Sequence, residues 1–461
     1  MGDIVRFRTV TSWSQSTSIF NSGASLVATI GDDSRFTLWF AQPRRKDLVS
    51  ETAPTAPAQE RTDLRRYLTA RVVAVAGSLV AAVALPVLVY RLTGSPAWTA
   101  AIATAEALPY LLFGLFAGAL ADRVDRRRLM VGVDLACGLV LAGIPLAWWA
   151  GVLTPWQVLG TAVAVQTGFV FFDAANFGAL PTLVGPDRIT AAFSTLYGAT
   201  TVVELLVPPL AGLAVATLAP AGLLSVTALT AVASALLIRS IAGSLSPGPG
   251  TRAPTRILAD VREGLGLLWG NPVVRTLTLV GTTQAVAGGA WLAMTVPWAD
   301  RVLGIRADGD ARLGLLFACW GVGGLAAARL VPRLSERWGG ARLALAGLPV
   351  SLACAVAVVS ATHWVPALLA ATAFGAAYST VVLNAVTYRL QVTPEHARAR
   401  VSTTARMLSW GLGTPAGAAL AGVVATTPAG PRGGLAAGAA VLASGVALAW
   451  LTPPLRRAAR G

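Results

Sequence analysis

Four carboxylates stand where the surrounding residues are almost all apolar: Glu106, Asp134, Asp173 and Glu204. A charged side chain at the centre of a bilayer costs about 2.5 to 3.5 kcal/mol on insertion scales, so each must be paired, hydrated or protonated. Glu106 and Glu204 fall near the middle of their apolar runs with no obvious basic partner at their depth, since Arg71 falls near the inner end of its own run. A carboxyl without a partner in a medium of low dielectric keeps its proton more readily, and can release it when its surroundings open to water. Glu204 and Glu106 are therefore the predicted proton-coupling sites, the alternative being a protonated carboxyl bonded to a neighbouring helix. Asp134 and Asp173 are placed about five residues, roughly 7 Å at 1.5 Å per residue, from the ends of their runs. That depth is within reach of the basic cluster Arg123, Arg126, Arg127 and Arg128, which predicts either a gating charge latch or a static salt bridge.

The elements that position these groups follow from composition. The 461 residues are 55% hydrophobic and only 12% charged, against about 25% charged in a soluble domain. Apolar runs of about 20 residues recur along the chain, which marks an all-α polytopic membrane protein. Other chemistries drop out. Lys46 is the only lysine and lies in no Gly-rich loop, so there is no phosphate-binding loop for an ATPase. His363, His396, Cys137, Cys319 and Cys354 are scattered without metal-ligand or disulfide spacing, so no metal, disulfide or other cofactor is expected. Any energy must come from an ion gradient.

From Leu64 onward the hydropathy pattern predicts about twelve spans: 68–91, 97–119, 129–151, 157–178, 193–217, 222–241, 274–299, 313–332, 343–361, 366–389, 404–426 and 434–452. With both termini on the cytoplasmic side, only Arg91, Arg301, Arg306, Arg312 and Arg432 of the 36 basic residues fall in outer loops. That is the positive-inside rule, so the net charge of +15 is topogenic and calls for no nucleic acid partner. Trp98, Trp148, Trp149, Trp156, Trp298 and Trp364 gather at the outer ends of spans, at the level of the headgroups. Trp291, Trp320 and Trp410 lie inside spans, where packing and the lining of a substrate cavity are both open. The predicted cavity set is Trp291, Trp320, Trp410, Gln284 and Asn384.

Residues 1–62 are polar, with no cleavable leader, and are predicted to be a disordered cytoplasmic tail. Residues 63–241 then form a first bundle of six spans and 274–452 a second. Between them, 242–273 is a cytoplasmic linker with a Pro/Gly/Ser/Thr stretch and then an amphipathic helix, with Ile257, Val261, Leu265 and Leu268 on one face. Residues 453–461 are a short cytoplasmic tail. The loop after span 2, Gly118-Ala119-Leu120-Ala121-Asp122-Arg123-Val124-Asp125-Arg126-Arg127-Arg128, aligns with Leu334-Ser335-Glu336-Arg337-Trp338-Gly339-Gly340-Ala341-Arg342 after span 8. A repeat of this kind is the mark of a transporter built from two pseudo-symmetric halves.

On these residues the chain resembles the major facilitator superfamily, in particular the branch of drug and siderophore exporters that includes enterobactin and macrolide exporters. The family signature G-x-L-a-D-R-x-G-R-R is matched at Gly118, Leu120, Asp122, Arg123, Arg126 and Arg127, with Asp125 in place of the second glycine. Leu92-Thr93-Gly94-Ser95, Glu106-Ala107-Leu108-Pro109 and Phe171-Phe172-Asp173-Ala174-Ala175 through Leu180-Pro181 are similar to the same branch. In span 5, Val207-Pro208-Pro209-Leu210-Ala211-Gly212 keeps the branch's proline and lacks the glycine before it.

The resemblance implies the major facilitator fold, twelve transmembrane helices in two six-helix bundles. It also implies that Arg126 bonds Asp173 while Asp122 faces the inner end of span 11. The predicted function is proton-coupled export of an amphiphilic small molecule by alternating access, in the cell membrane, by a monomer surrounded by lipid. Import of a metabolite by the same fold, or a regulatory subunit without transport, are the alternatives. A membrane-embedded enzyme is disfavoured, because the outer loops are short and carry acids only at Asp300, Asp308 and Asp310.

Overall fold

Inside a bilayer every backbone amide must find its partner within the protein, and an apolar chain meets that demand by coiling into helices. A computed structural model describes residues 25–30, 36–41, 58–185, 188–246, 257–307, 310–393 and 398–459. Near the N terminus, within the stretch read above as disordered, β1 (Ser25–Ile30) pairs antiparallel with β2 (Phe36–Ala41), Ser25 opposite Ala41.

The first bundle holds α1 (Ala58–Thr93), α2 (Pro96–Arg123), α3 (Arg126–Trp149), α4 (Pro155–Val184), α5 (Ile189–Thr217) and α6 (Pro220–Arg239). The amphipathic helix α7 (Ile257–Gly270) follows, then α8 (Pro272–Leu303), α9 (Arg312–Trp338), α10 (Gly340–Ser360) and α11 (Trp364–Val392). The next span is composite: α12 (Arg398–Arg406), a π-helical turn over Met407–Gly413, and α13 (Thr414–Ala425). The chain finishes with α14 (Gly430–Leu451) and the short α15 (Pro453–Ala458). Among the described residues 11 helices are long and apolar enough to span, and α2, bent by 57° beside Gly114, makes up to 12. Several helices outrun their apolar cores, α1 beginning at Ala58 and α4 continuing through Pro181 to Val184.

Helix pairing repeats between the bundles. The contacts α2–α4, α3–α4 and α3–α6 recur as α9–α11, α10–α11 and α10–α14. Two of the pairs that cross between bundles, α5–α9 and α2–α13, exchange with each other under the same six-span shift. This is the pseudo-twofold relation expected of the internal repeat.

The second bundle packs by small residues. Gly289 lies against the Thr414 carbonyl, Gly417 against Val286, and Gly323 against the Thr372 to Ala376 backbone. Such sites let helices approach backbone to backbone where lipid supplies no hydrophobic drive between them.

The bundles meet most tightly at the face where α1 ends at Thr93 and α8 at Leu303. There Tyr90 donates to Asp300 at 2.8 Å and Arg301 to the Gly94 carbonyl at 2.6 Å. Arg91 reaches both the Val215 carbonyl (2.9 Å) and the Ala307 carbonyl (2.7 Å). Beneath these bonds Gly212 of α5 and Gly314 of α9 touch backbone to backbone. The glycine absent before Pro208 thus has a counterpart four residues later that makes the close contact. Gly314→Val is expected to force α5 from α9 and lower stability by about 1–3 kcal/mol, read as a reduced melting temperature of the purified protein in detergent.

Candidate functional site

Charge gathers in the first bundle around Arg71. Because α1 starts at Ala58, Arg71 lies 13 residues into the helix, about 20 Å at 1.5 Å per residue, and not near its end. Its side chain is buried, Nη2 donating to Asp173 Oδ1 of α4 at 3.2 Å, with the guanidinium 5.2 Å from the centre of the Phe172 ring. Asp173 also has Arg406, from the end of α12 in the other bundle, at 3.8 Å from its second oxygen. Arg406 in turn lies over the Tyr110 ring of α2 at 5.1 Å, a cation–π contact that favours a partly desolvated guanidinium. One carboxylate is thereby shared by arginines from both bundles.

This arrangement corrects the predicted latch. Arg126 does not reach Asp173. Its guanidinium lies over Gly178, where no side chain obstructs it, and bonds Thr182 Oγ1 at 3.4 Å and Asp122 at 3.2 Å. Gly178 and Thr182 are five and nine residues past Asp173 along α4, too far down the helix for one arginine to span both positions. Asp173 lies 11 residues from the end of α4 and Asp134 eight from the start of α3, roughly 16 and 12 Å deep, because both helices extend past their apolar cores. Asp122 and Arg123 are exposed, and Arg127 bonds the Gly243 carbonyl beyond α6. Asp125, which replaces the signature's second glycine, has a role of its own: its carboxylate accepts from the Arg128 amide at 2.8 Å and caps α3.

Glu204 is exposed at the middle of α5, within the electrostatic range of Arg71. Glu106 is half-buried in α2 and has neither hydrogen bond nor ion pair among the described residues.

Most of the predicted cavity set belongs to packing. Trp291 is 4% exposed and stacks on Trp320 at 6.2 Å between ring centres, and both touch Phe374. Tyr378 completes the cluster against Trp320 at 4.7 Å, in space left by Gly288. Gln284 is buried and donates to Ser351 Oγ of α10 at 2.7 Å, and Asn384 donates to the Gly340 carbonyl at the start of α10 at 2.8 Å. A buried amide needs such a partner, and here each ties two helices of the second bundle. Trp410 alone is open, 55% exposed on the π-helical turn.

Arg71, Arg406 and Tyr110 were missed. The signal for Arg71 was the run Glu60 to Arg66, whose polar residues continue the helix and carry Arg71 inward once counted as its first turns.

Two outcomes follow. Trp291→Ala is expected to cost about 3–5 kcal/mol of stability as a core truncation, seen in thermal unfolding in detergent, with ligand affinity little changed. Arg71→Met leaves a buried carboxylate short of a partner and is expected to cost about 3–5 kcal/mol in the same measurement. The double variant Arg71→Met/Asp173→Leu should recover most of it.

Residues 67–409 match the Major Facilitator Superfamily. The chain is 31% identical to the multidrug efflux pump Tap of Mycolicibacterium fortuitum over 79% of its length and 90% of the pump's. It is 24% identical to macrolide efflux protein A of Streptococcus pyogenes over 38% and 43% of the two chains. In three dimensions it is similar to a bacterial homologue of the human lysosomal transporter Spinster in an inward-facing, unoccupied conformation (TM-score 0.69, 15% identity, 86% and 97% covered). A bacterial homologue of the iron transporter ferroportin, inward-facing, gives a TM-score of 0.64 at 15% identity, with 85% and 98% covered. With its repeated loop, its paired six-span bundles and a match across most of its length, the chain is a polytopic membrane protein that belongs to the Major Facilitator Superfamily of transporters and is not an enzyme.

Proposed function

We propose that this protein is a proton-coupled exporter of amphiphilic small molecules, set in the cell membrane with the basic loops on the cytoplasmic side. The orientation is supported by Arg123, Arg127, Arg128, Arg239, Arg337 and Arg342 gathering at the face opposite Thr93 and Leu303, as the positive-inside rule requires. Under that orientation the bundles are sealed outside by Tyr90, Arg91, Arg301 and the Gly212–Gly314 contact. In this reading a cleft between the bundles opens on the other, cytoplasmic side, the state that loads an export substrate.

Substrate chemistry follows from what faces that cleft. Tyr110 meets Arg406 across the bundles, and one helical turn on Phe113 packs with Phe171 at 6.4 Å. With Trp410 exposed on the π-helical turn that packs on α2, these rings offer flat apolar surface beside a few charges, which suits molecules with an apolar body and a polar or cationic group. The efflux activities in the names of the two relatives support export as the direction. Gating in this reading belongs to Asp122, Arg123, Arg126 and Arg127, which face no partner bundle while the cytoplasmic side is open and come together with it on closure.

The observation that carries proton coupling is Glu204, a carboxylate exposed at mid-span within the field of Arg71. An acid so placed exchanges protons with the cleft and answers to a movable positive charge. Glu106 is the secondary candidate. In proteoliposomes with an imposed pH gradient, ethidium and erythromycin are the probes. The wild type is expected to accumulate at least one in a manner that collapses with a protonophore, while Glu204→Gln loses that accumulation but elutes from size exclusion as the wild type does. Unchanged accumulation and pH dependence in Glu204→Gln would overturn the assignment.

A further inference from the structure

Beside Arg71 a cavity of about 50 Å³ lies among α1, α3, α4 and α6. By the measure that about 10–15 Å³ holds a water, it accommodates a small cluster of them. Its lining is unusually polar for the interior of a membrane bundle: Arg71 and Ser78 from α1, Asp134 from α3, Thr227 and Thr230 from α6. Gly77 leaves room for the Thr230 hydroxyl and so brings α1 and α6 together at its edge.

The hydrogen-bonding capacity here is unfilled. Arg71 spends Nη2 on Asp173, yet its Nε and Nη1 have no partner among the described residues. Asp134 is 7% exposed and its Oδ2 is likewise without a partner, as is the Oγ of Ser234, which sits beside that carboxylate on α6. Two guanidinium donors, a carboxylate oxygen and a hydroxyl left bare in one buried region cost about 1–3 kcal/mol each unless something bridges them. Water fits the space and the chemistry. A metal cation does not, because Arg71 already supplies a positive charge to the same pocket.

We propose that Asp134 is a second proton site, reached through water in this pocket, and that its charge decides how firmly Arg71 is held by Asp173. The inference rests on the reading of the chain as a proton-coupled transporter. The groups that face Asp134 are few: Arg71 from α1, Ser234 from α6, Cys137 one turn along α3, and from α4 only the rings of Phe169 and Phe172. Asp173 and Glu204 act on it at one remove, through Arg71. With Asp134 protonated, Arg71 has a single anionic neighbour at contact and stays on Asp173. With Asp134 ionised, two buried carboxylates compete for one guanidinium, Arg71 is drawn into the pocket, and Asp173 is released toward Arg406 of the other bundle, already 3.8 Å away. Proton loss inside the first bundle thereby strengthens a contact between bundles. The only bond made or broken is that of the proton, which passes between Asp134 and pocket water.

The test separates this site from Glu204. Infrared difference spectra of the purified protein, titrated with acid, should contain a protonated-carboxyl stretch that is lost in Asp134→Asn and kept in Glu204→Gln. Arg71→Lys should move its pH midpoint. In proteoliposomes Asp134→Asn should still exchange ethidium across the membrane when no gradient is applied, while accumulation driven by a pH gradient falls by about tenfold, within the usual range for coupling between two sites. Asp134→Glu should restore it. Identical spectra for the wild type and Asp134→Asn, or undiminished accumulation in that variant, overturn the proposal. Should the wild type itself show no gradient-driven accumulation, the transport reading fails, and the infrared titration still decides whether Asp134 carries the proton. If Asp134→Asn does not fold, Ser234→Ala, which deletes only the hydroxyl beside the Asp134 carboxylate, is expected to shift the midpoint, and an unmoved midpoint counts against the site.

Discussion

A carboxylate in the middle of a bilayer has to be neutralised where it stands, and Asp173 is neutralised from two sides. Arg71 belongs to its own bundle and Arg406 to the other. In low dielectric neither guanidinium can leave without a replacement charge or a proton. The placement of the helices around this point follows from that constraint. α1 has to run deep enough to deliver Arg71, α4 has to carry Asp173 past the level of the loops, and α2 supplies Tyr110 as a surface on which Arg406 can rest.

The contacts that join the bundles divide into two kinds with different physics. At the face sealed by Tyr90, Arg91 and Arg301, the bonds end largely on backbone carbonyls, and Gly212 meets Gly314 with no side chain between. Apart from the Tyr90–Asp300 bond, such contacts depend on shape and carry no group that titrates. At mid-depth the contact is a shared ion pair, which a proton can strengthen or weaken. The two are kept apart in the fold: the close-packed seam holds one face of the halves together, and the shared ion pair lies deeper, between α4 and α12.

The fold was legible because lipid leaves few solutions: apolar runs of span length gave the helices, the arginines their common face, and the Leu-x-acid-Arg repeat the two halves. The site was less legible, for physical reasons. Hydropathy marks where apolar residues stop, whereas helices stop where their backbone bonds end, and α1 and α4 run on through polar turns. That difference misplaced Arg71, Asp134 and Asp173 in depth and so mispaired Arg126. For Trp291, Gln284 and Asn384 the missing quantity was rotation about the helix axis. α8 is buried on nearly all sides by α11, α13 and α14, and a uniformly apolar helix shows no periodicity that tells a cavity face from a packing face.

The asymmetry between the bundles bears on how a proton could move both. Glu106, Asp134, Asp173 and Glu204 all lie in the first bundle, while the interior of the second is an aromatic stack and a set of glycine contacts, with Gln284 and Asn384 each committed to one neighbour. The charge that the second bundle brings to Asp173 is the fixed one of Arg406. This arginine sits at the N-terminal edge of the π-helical turn Met407–Gly413, where the ordinary helical register is broken. Such turns occur often at functional sites and store an alternative α-helical register. If the wide turn relaxed to α-helix, everything on the N-terminal side of Met407 would rotate relative to α13, carrying Arg406 around its helix. The pull of Asp173 on Arg406 acts against a segment able to yield in that way, while α13 stays locked to α8 through Gly289 and Gly417. Arg406 is therefore carried on a segment set apart from the packed core of its own bundle.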